Sequence, residues 1–279
     1  MTENPFAHCR QIARRSGSSF LLPFRLLEAP RREALTALYA FCRVVDDVVD
    51  EAEHVPTARE QLQEWRAEID RVYGGTPATL VGAALAQVCP RYDLPQQHFL
   101  EILDGMEMDL PPPRRFADRE ALETYCYHVA SAVGLLAARI FGPVNDAVLR
   151  YAHLLGLALQ RINILRDVGE DWQRGRLYLP QDAMTAHGVT EADLTAPAPS
   201  PALRALLQSE AARARSLYDE ALATLPAEAR AAQRPGLMMG ALYRALLDKI
   251  AAQDFAVLHQ RVRLPALQKL AVAARTLIA

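Results

Sequence analysis

RREALTALYAFCRVVDDVVDE, residues 31 to 51, decides the fold class of this chain. Its apolar side chains recur at three- and four-residue intervals among strong helix formers, which is the pattern of an amphipathic helix. The same Ala/Leu/Arg/Glu-rich periodicity runs outward in both directions, and period-2 alternation is nearly absent. Helices are predicted over 31–52, 57–73, 77–90, 95–108, 118–141, 144–172, 201–224, 236–260 and 264–278, so the chain reads as all-α. Gly74-Gly75 with Pro77, the run Pro111 to Pro113 and the stretch DLTAPAPSP (193–201) break the pattern for chemical reasons. No solenoid-period repeat and no shift of composition divides the chain, so residues 1–279 are read as one helical domain.

A chain of 279 residues with 51% hydrophobic content fills a sizeable core and is neither disordered nor fibrous. Its net charge of −2 offers no basic excess for a phosphate backbone, and no nucleic-acid partner is expected. All but Lys249 and Lys269 of its 31 cationic residues are arginine, the side chain whose planar fork matches phosphate or carboxylate. Cys9, Cys42, Cys89 and Cys126 show no CxxC pair or metal spacing, which fits a reducing cytoplasm. The start MTENPFAHCRQIARR has no apolar export segment, and no run approaches the ~18 residues that span a bilayer. Leu264 to Ile278, apolar with Lys269 and Arg275 along it, is either an ordinary packed tail helix or a peripheral membrane contact.

Two helices carry carboxylates where an apolar residue is expected. Asp46 and Asp50 lie four apart, one turn from each other on one face, where like charges repel unless a cation sits between them. Tyr39 and Arg43 extend that polar stripe toward the N-terminus. In LALQRINILRDVGEDWQRGRLYLP (157–180), Asn163, Asp167 and Asp171 recur at i, i+4 and i+8, with Gln160 upstream and Arg166 beside them. Hard divalent ions such as magnesium take such oxygen ligands together with phosphate oxygens and water. Facing stripes would make a magnesium–diphosphate clamp, with Arg43, Arg166, Arg174 and Arg176 supplying further positive charge. Either stripe alone also fits a solvated helix face; two of them, each inside an apolar helix, favour the clamp. A di-iron bundle needs paired Glu-x-x-His motifs, and only Glu51 to His54 has that spacing. In LETYCYHVASAVGLLAARIFG (122–142), Tyr125, Val129, Val133 and Leu136 share a helical face, and small residues allow close helix approach or leave room for a ligand.

DDVVD (46–50), YCYHVASAVG (125–134), NILRDVGED (163–171) and RLYLP (176–180), in this order and spacing, resemble the squalene and phytoene synthase family. The likeness runs from GSSF at 17–20 to HQRVRLP at 259–265. It implies an all-α isoprenoid synthase bundle with a central channel, in which three magnesium ions bridge the aspartates to farnesyl or geranylgeranyl diphosphate. By position, Asp46, Asp50, Asn163, Asp167 and Asp171 match the metal ligands, and the four aspartates with Tyr125 match the catalytic set. Ser16, Gly17, Ser18, Ser19, Tyr39, Arg43, Gln160, Arg166 and Tyr178 match diphosphate or prenyl contacts, with Tyr243 and Arg261 as weaker ones. Phe20 and Phe24 match channel-lining aromatics.

Two positions depart from the family pattern: Ser131 stands where a glycine is usual, and Arg161 where an apolar residue is usual. Arg161 is therefore expected to point away from the channel or to alter the packing. The strings DGMEMDL (104–110), SAVGLLAARIFG (131–142) and GRLYLP (175–180) most resemble the bacterial, hopanoid-route branch that makes presqualene diphosphate. Phytoene, dehydrosqualene or squalene formation and a non-catalytic assembly factor are the alternatives, and downstream isoprenoid enzymes are possible partners. The lysine-rich loop that goes with NADPH in eukaryotic-type squalene synthases has no counterpart here, nor does their membrane anchor, so NADPH is not expected.

Overall fold

The opening stretch folds into one long helix, α3 (Ala29–Asp50), entered through Pro30 in its first turn, where a missing N–H leaves no helical bond unmade. The computed structural model describes residues 4–16, 21–24, 26–52, 54–110 and 114–278. Around α3 pack α1 (Pro5–Ser16), α2 (Leu21–Phe24), α4 (Val55–Tyr73), α5 (Leu80–Val88) and α6 (Gln96–Met108). Phe41, Leu38, Leu62, Ile69, Phe99 and Leu103 fill the core between them. Strand β1 (Arg114–Arg115) and helix α7 (Arg119–Cys126) lead through a π-helical turn, Tyr127–Ser131, into α8 (Ala132–Phe141). The longest helix, α9 (Asp146–Gln173), ends at β2 (Arg176–Leu177), and β1 and β2 pair in parallel. The chain continues through α10 (Gln181–His187), α11 (Glu191–Thr195), α12 (Pro201–Thr224), a 3-10 turn at Ala227–Ala229, α13 (Arg234–Ala252) and α14 (Ala266–Ile278). Helix α8 packs against both α3 and α9 and so links the two acidic helices.

Local chemistry accounts for the boundaries. Thr79, Asp118, Asn145 and Ser200 each accept a backbone N–H from three residues on, which caps α5, α7, α9 and α12. Glu68, fully buried on α4, accepts from the backbone N–H of Ala78 and Thr79 and from the Thr79 hydroxyl, which moors the start of α5. Burial alone would raise its pKa, but the bonds from Thr79, Arg71 and Ala78 outweigh it and lower it.

The structure departs from the sequence reading in several places, among them the short helices α2 and α10 and the β1–β2 pair, none of which was expected. Residues 5–16, given no helix above, form α1, whose apolar stripe is short, with only Cys9 and Ala13 buried. The expected helix 118–141 is interrupted by the π turn, so a straight helical wheel does not carry from Tyr125 to Val133. The proline-rich connection begins later than expected because Thr190 and Asp193 form a capping box that winds α11. The expected helix 236–260 stops at Ala252, because Asp254 and Phe255 take left-handed φ values of 51° and 56°. Burial of Phe255, Val257 and Leu258 offsets that backbone conformation.

Candidate active site

The two acidic stripes meet through arginines. On α3, Arg43 pairs with Asp47 and lies 3.4 Å from Asp46. At the end of the same helix, Asp50 takes a 2.7 Å bond from Arg176 Nη1 and lies 3.7 Å from Arg174. Both arginines follow α9: Gly175, with φ of +74°, makes the tight turn there, and the β1–β2 ladder fixes Arg176. On α9, Arg166 pairs with Asp167, and Arg261 reaches Asp167 at 3.0 Å and Glu170 at 3.3 Å. Arg261 arrives there because the backbone of residue 258 lies directly on α9; a Cβ at Gly169 would stand 1.9 Å from the Leu258 carbonyl oxygen. Of the predicted contacts, Ser16 accepts a 2.7 Å bond from Tyr39 Oη, Gln160 accepts a 3.3 Å bond from Asn163, and Tyr243 lies against Asn163 and Arg166. Phe24 is buried edge-on to Tyr39, with ring centroids 6.2 Å apart. Gly17, Ser18, Ser19 and Phe20 fall outside the described residues.

Between the stripes sits a carboxylate that sequence reading passed over. Asp109, buried just after α6, accepts 2.8 Å bonds from Tyr125 Oη on one oxygen and from Tyr178 Oη on the other. The two phenol rings stack with centroids 5.2 Å apart, and Phe116 packs against both. Burial, followed by the neighbouring Asp109 charge, raises the pKa of both tyrosines. Burial likewise raises Asp109, with the two hydroxyl bonds opposing. The only sequence signal was the string DGMEMDL, which pointed to kinship rather than to a role for its second aspartate.

Burial and then the Asp50 charge push the Asp46 carboxyl up to about 6, and burial and then Asp167 push Asp171 up to about 7. Asp109 adds to both shifts, which places it within electrostatic reach of either stripe. Asn163 Oδ1 is buried with no hydrogen-bond partner. Crowded carboxylates and an orphaned acceptor oxygen form a hard-oxygen donor set that fits a divalent cation. Among the described residues no three Asp, Glu, His or Cys side chains converge to enclose an ion by themselves. Magnesium is ordinarily held by one or two carboxylates, with phosphate oxygens and water completing its shell.

The two departures noted in the sequence have structural counterparts. Arg161 points away from the cluster, buried between Glu210 of α12 at 3.1 Å and Glu123 of α7 at 3.2 Å. Ser131, fully buried, donates a 2.9 Å bond to the His153 carbonyl and so ties the π turn to α9. Val129, Val133 and Ala137 are only half-buried despite being apolar.

A family model described as squalene/phytoene synthase matches residues 13–268. The presqualene diphosphate synthase of Sinorhizobium fredii is 36% identical over 266 residues, covering 95% of each chain. Phytoene synthase 2 of Solanum lycopersicum, a chloroplast protein, is 34% identical over 90% of this chain and 82% of its own. Among solved structures, a dehydrosqualene synthase with bound ligand superposes with a TM-score of 0.87 at 28% identity, covering 98% of this chain and 95% of its own.

Proposed function

Because the chain belongs to the squalene/phytoene synthase family, we propose that it joins two farnesyl diphosphates head to head into presqualene diphosphate, releasing diphosphate. The observation that carries this reading is the meeting of two acidic stripes, on separate helices, with Arg166, Arg174, Arg176 and Arg261. Magnesium, when bound, would neutralise charge on the diphosphate and on the bridging oxygen as it departs. Asp46 and Asp50 would hold it from one side, and Asn163, Asp167 and Asp171 from the other. The arginines would turn toward phosphate oxygens, which match a guanidinium fork as well as carboxylates do.

Loss of diphosphate leaves an allylic cation, and the rest of the site protects it. Val129, Val133 and Ala137, apolar and only half-buried, would offer an apolar wall for the prenyl chains. The Phe116–Tyr125–Tyr178 stack closes one end of the cluster against water, which would quench the cation to an alcohol. Attack by the double bond of the second prenyl chain on carbon 1 of the cation, with loss of one proton, closes a cyclopropane. With its pKa raised, Tyr125 is a phenol rather than a phenolate. Its oxygen therefore takes up that proton only by passing its own along the 2.8 Å bond to Asp109. Released diphosphate is the competing base.

Asp46→Ala or Asp167→Ala is expected to abolish turnover with little change in far-UV circular dichroism, and near-normal activity in either would remove the clamp. Mass spectrometry of products from purified protein and magnesium, supplied with farnesyl or geranylgeranyl diphosphate and no NADPH, tests the substrate and product. Dehydrosqualene or phytoene would show that the reaction runs past the cyclopropane, and no diphosphate release would point to a non-catalytic role.

A further inference from the structure

Helix α6, with the aspartate that ends it, is fastened to the chain around the π turn at Glu101, Gly105 and Asp109, which lie four apart and so share one face. Asp109 holds Tyr125, as described above. At Gly105 a Cβ would stand 2.8 Å from Val129 Cγ1 and 2.9 Å from His128 Cβ, so the turn lies directly on the helix. Glu101 makes the remaining fastening. Its Oε2 accepts a 2.9 Å bond from Tyr127 Oη and a 2.8 Å bond from His98 Nδ1, and its carbonyl accepts a 3.0 Å bond from His128 Nδ1. Burial alone would raise the Glu101 carboxyl, but the bonds from His98 and Tyr127 outweigh it and hold it below its ordinary value. Burial, and then the Glu101 bond, pushes Tyr127 up to about 12, so it stays a phenol that donates.

Tyr127 borders two unlike environments. It packs against the cluster that contains Phe116, Tyr125 and Tyr178, where Val129 also lies. It also lines a cleft of about 480 Å³ open to solvent, together with Glu123 of α7, His153 of α9 and Arg213 of α12. Glu123 and Arg213 are exposed, and a cleft of this size with polar walls holds several waters. The rings of His128 and His153 flank the phenol, with centroids 5.4 and 5.7 Å from its own. The imidazoles thus hold the ring, and Glu101 holds its hydroxyl.

We propose that Tyr127, latched by Glu101, is the wall that keeps the water of this cleft from the aromatic end of the site, and that it thereby decides between condensation and hydrolysis. The latch is a property of the fold. Its consequence rests on the reaction proposed above, because it is the allylic cation that needs such protection. Water reaching carbon 1 would form a carbon–oxygen bond there and give up one proton to solvent, leaving a prenyl alcohol in place of the cyclopropane. Glu101 touches no reacting atom and acts through Tyr127 as a positioning residue.

Turnover of farnesyl diphosphate in water enriched in heavy oxygen tests this, because capture of the cation places the label in the alcohol, whereas cleavage of a phosphorus–oxygen bond does not. Tyr127→Ala is expected to raise the labelled alcohol, as a share of product, by about tenfold or more with KM little changed. Tyr127→Phe keeps the ring and loses the latch; a smaller rise is expected, together with faster amide hydrogen exchange over residues 127–131. Glu101→Ala should behave like Tyr127→Phe, while Glu101→Gln, whose amide oxygen still accepts from Tyr127, should stay close to native. Ser200→Ala removes the cap of α12 and serves as the control, lowering the denaturant midpoint without changing the product ratio. A native product ratio in Tyr127→Ala, or in Tyr127→Phe where the alanine variant does not fold, overturns the proposal, as does native exchange in Tyr127→Phe. An equal rise of labelled alcohol in Ser200→Ala also overturns it, by making leakage a matter of stability alone. Faster exchange in Tyr127→Phe, in a protein whose native chain forms no product, would sustain the latch and overturn the proposed reaction instead.

Discussion

Asp171 illustrates how a single side chain carries the state of the whole cluster. Its carboxyl, ordinarily at 3.8, is pushed up to about 7, and Asp46 moves the same way, to about 6. Between pH 4 and 7 the folded, metal-free protein therefore binds more protons at these groups than the unfolded chain does. Stability falls as pH rises wherever the folded state holds the extra protons. The metal-free protein is thus expected to lose urea resistance from these two groups as pH climbs through that window. Asp171→Asn should flatten the slope and make the protein more resistant than the native chain above pH 7. An unchanged slope would mean that the carboxyl is not held protonated. Asp109 carries a different expectation. Asp109→Asn keeps the shape but removes the proton acceptor beneath Tyr125, and product formation is expected to fall by roughly a hundredfold or more with KM little changed. Retention of full kcat would assign the proton to diphosphate alone.

At the scale of elements, the positions of the arginines depend on backbone contacts far from the aspartates in sequence. The segment 253–265 leaves α13 through two left-handed residues and lies on α9 at Gly169. A methyl group at Gly169 would meet the Leu258 carbonyl, and the backbone on either side cannot yield as a flexible side chain could. Gly169→Ala is expected to cost about 1–3 kcal/mol in urea unfolding and to make this segment newly sensitive to protease. Loss of the Arg261 contact should reduce turnover as well. If the stability and protease pattern stay native, the close approach is not what positions Arg261. The π turn after Tyr125 matters in a similar way, because it breaks the straight helical register between α7 and α8 and holds Val129 half-buried beside the stacked phenols.

Across the whole molecule, a net charge near zero conceals strong local order. The arginines that face the aspartates belong to α3, α9, the strand after it and the segment before α14, so the charges close only when all of these are in place. Beneath the site, Arg161 joins α7, α9 and α12 through Glu123 and Glu210, and Arg119 adds a 3.0 Å bond to Glu210. Removing one partner of a buried pair leaves the other charge without compensation. Glu210→Gln is expected to destabilise the protein by about 3 kcal/mol or more, seen as a lower denaturant midpoint with an unchanged slope. A loss below about 0.5 kcal/mol would place this network in the class of weak surface pairs.

Helix periodicity is a local property, set by the contact of residues three and four apart, and so α3, α9 and both carboxylate stripes could be read directly from spacing. The motif order was enough to identify the family. What spacing could not supply was any partnership between distant residues. Arg176 meets Asp50 across 126 positions, and Arg261 meets Asp167 across 94. Asp109 stood unnoticed because its two tyrosines come from α7 and from the stretch after β2, and no local pattern links them. The two-residue ladder that fixes Arg176 is too short to show alternation, and the end of α13 is decided by the core that receives Phe255 rather than by helix propensity. The sequence by itself determined the helices and the chemistry each one carries. Only the tertiary structure decided which charges meet, because that depends on packing between elements whose geometry no local spacing encodes.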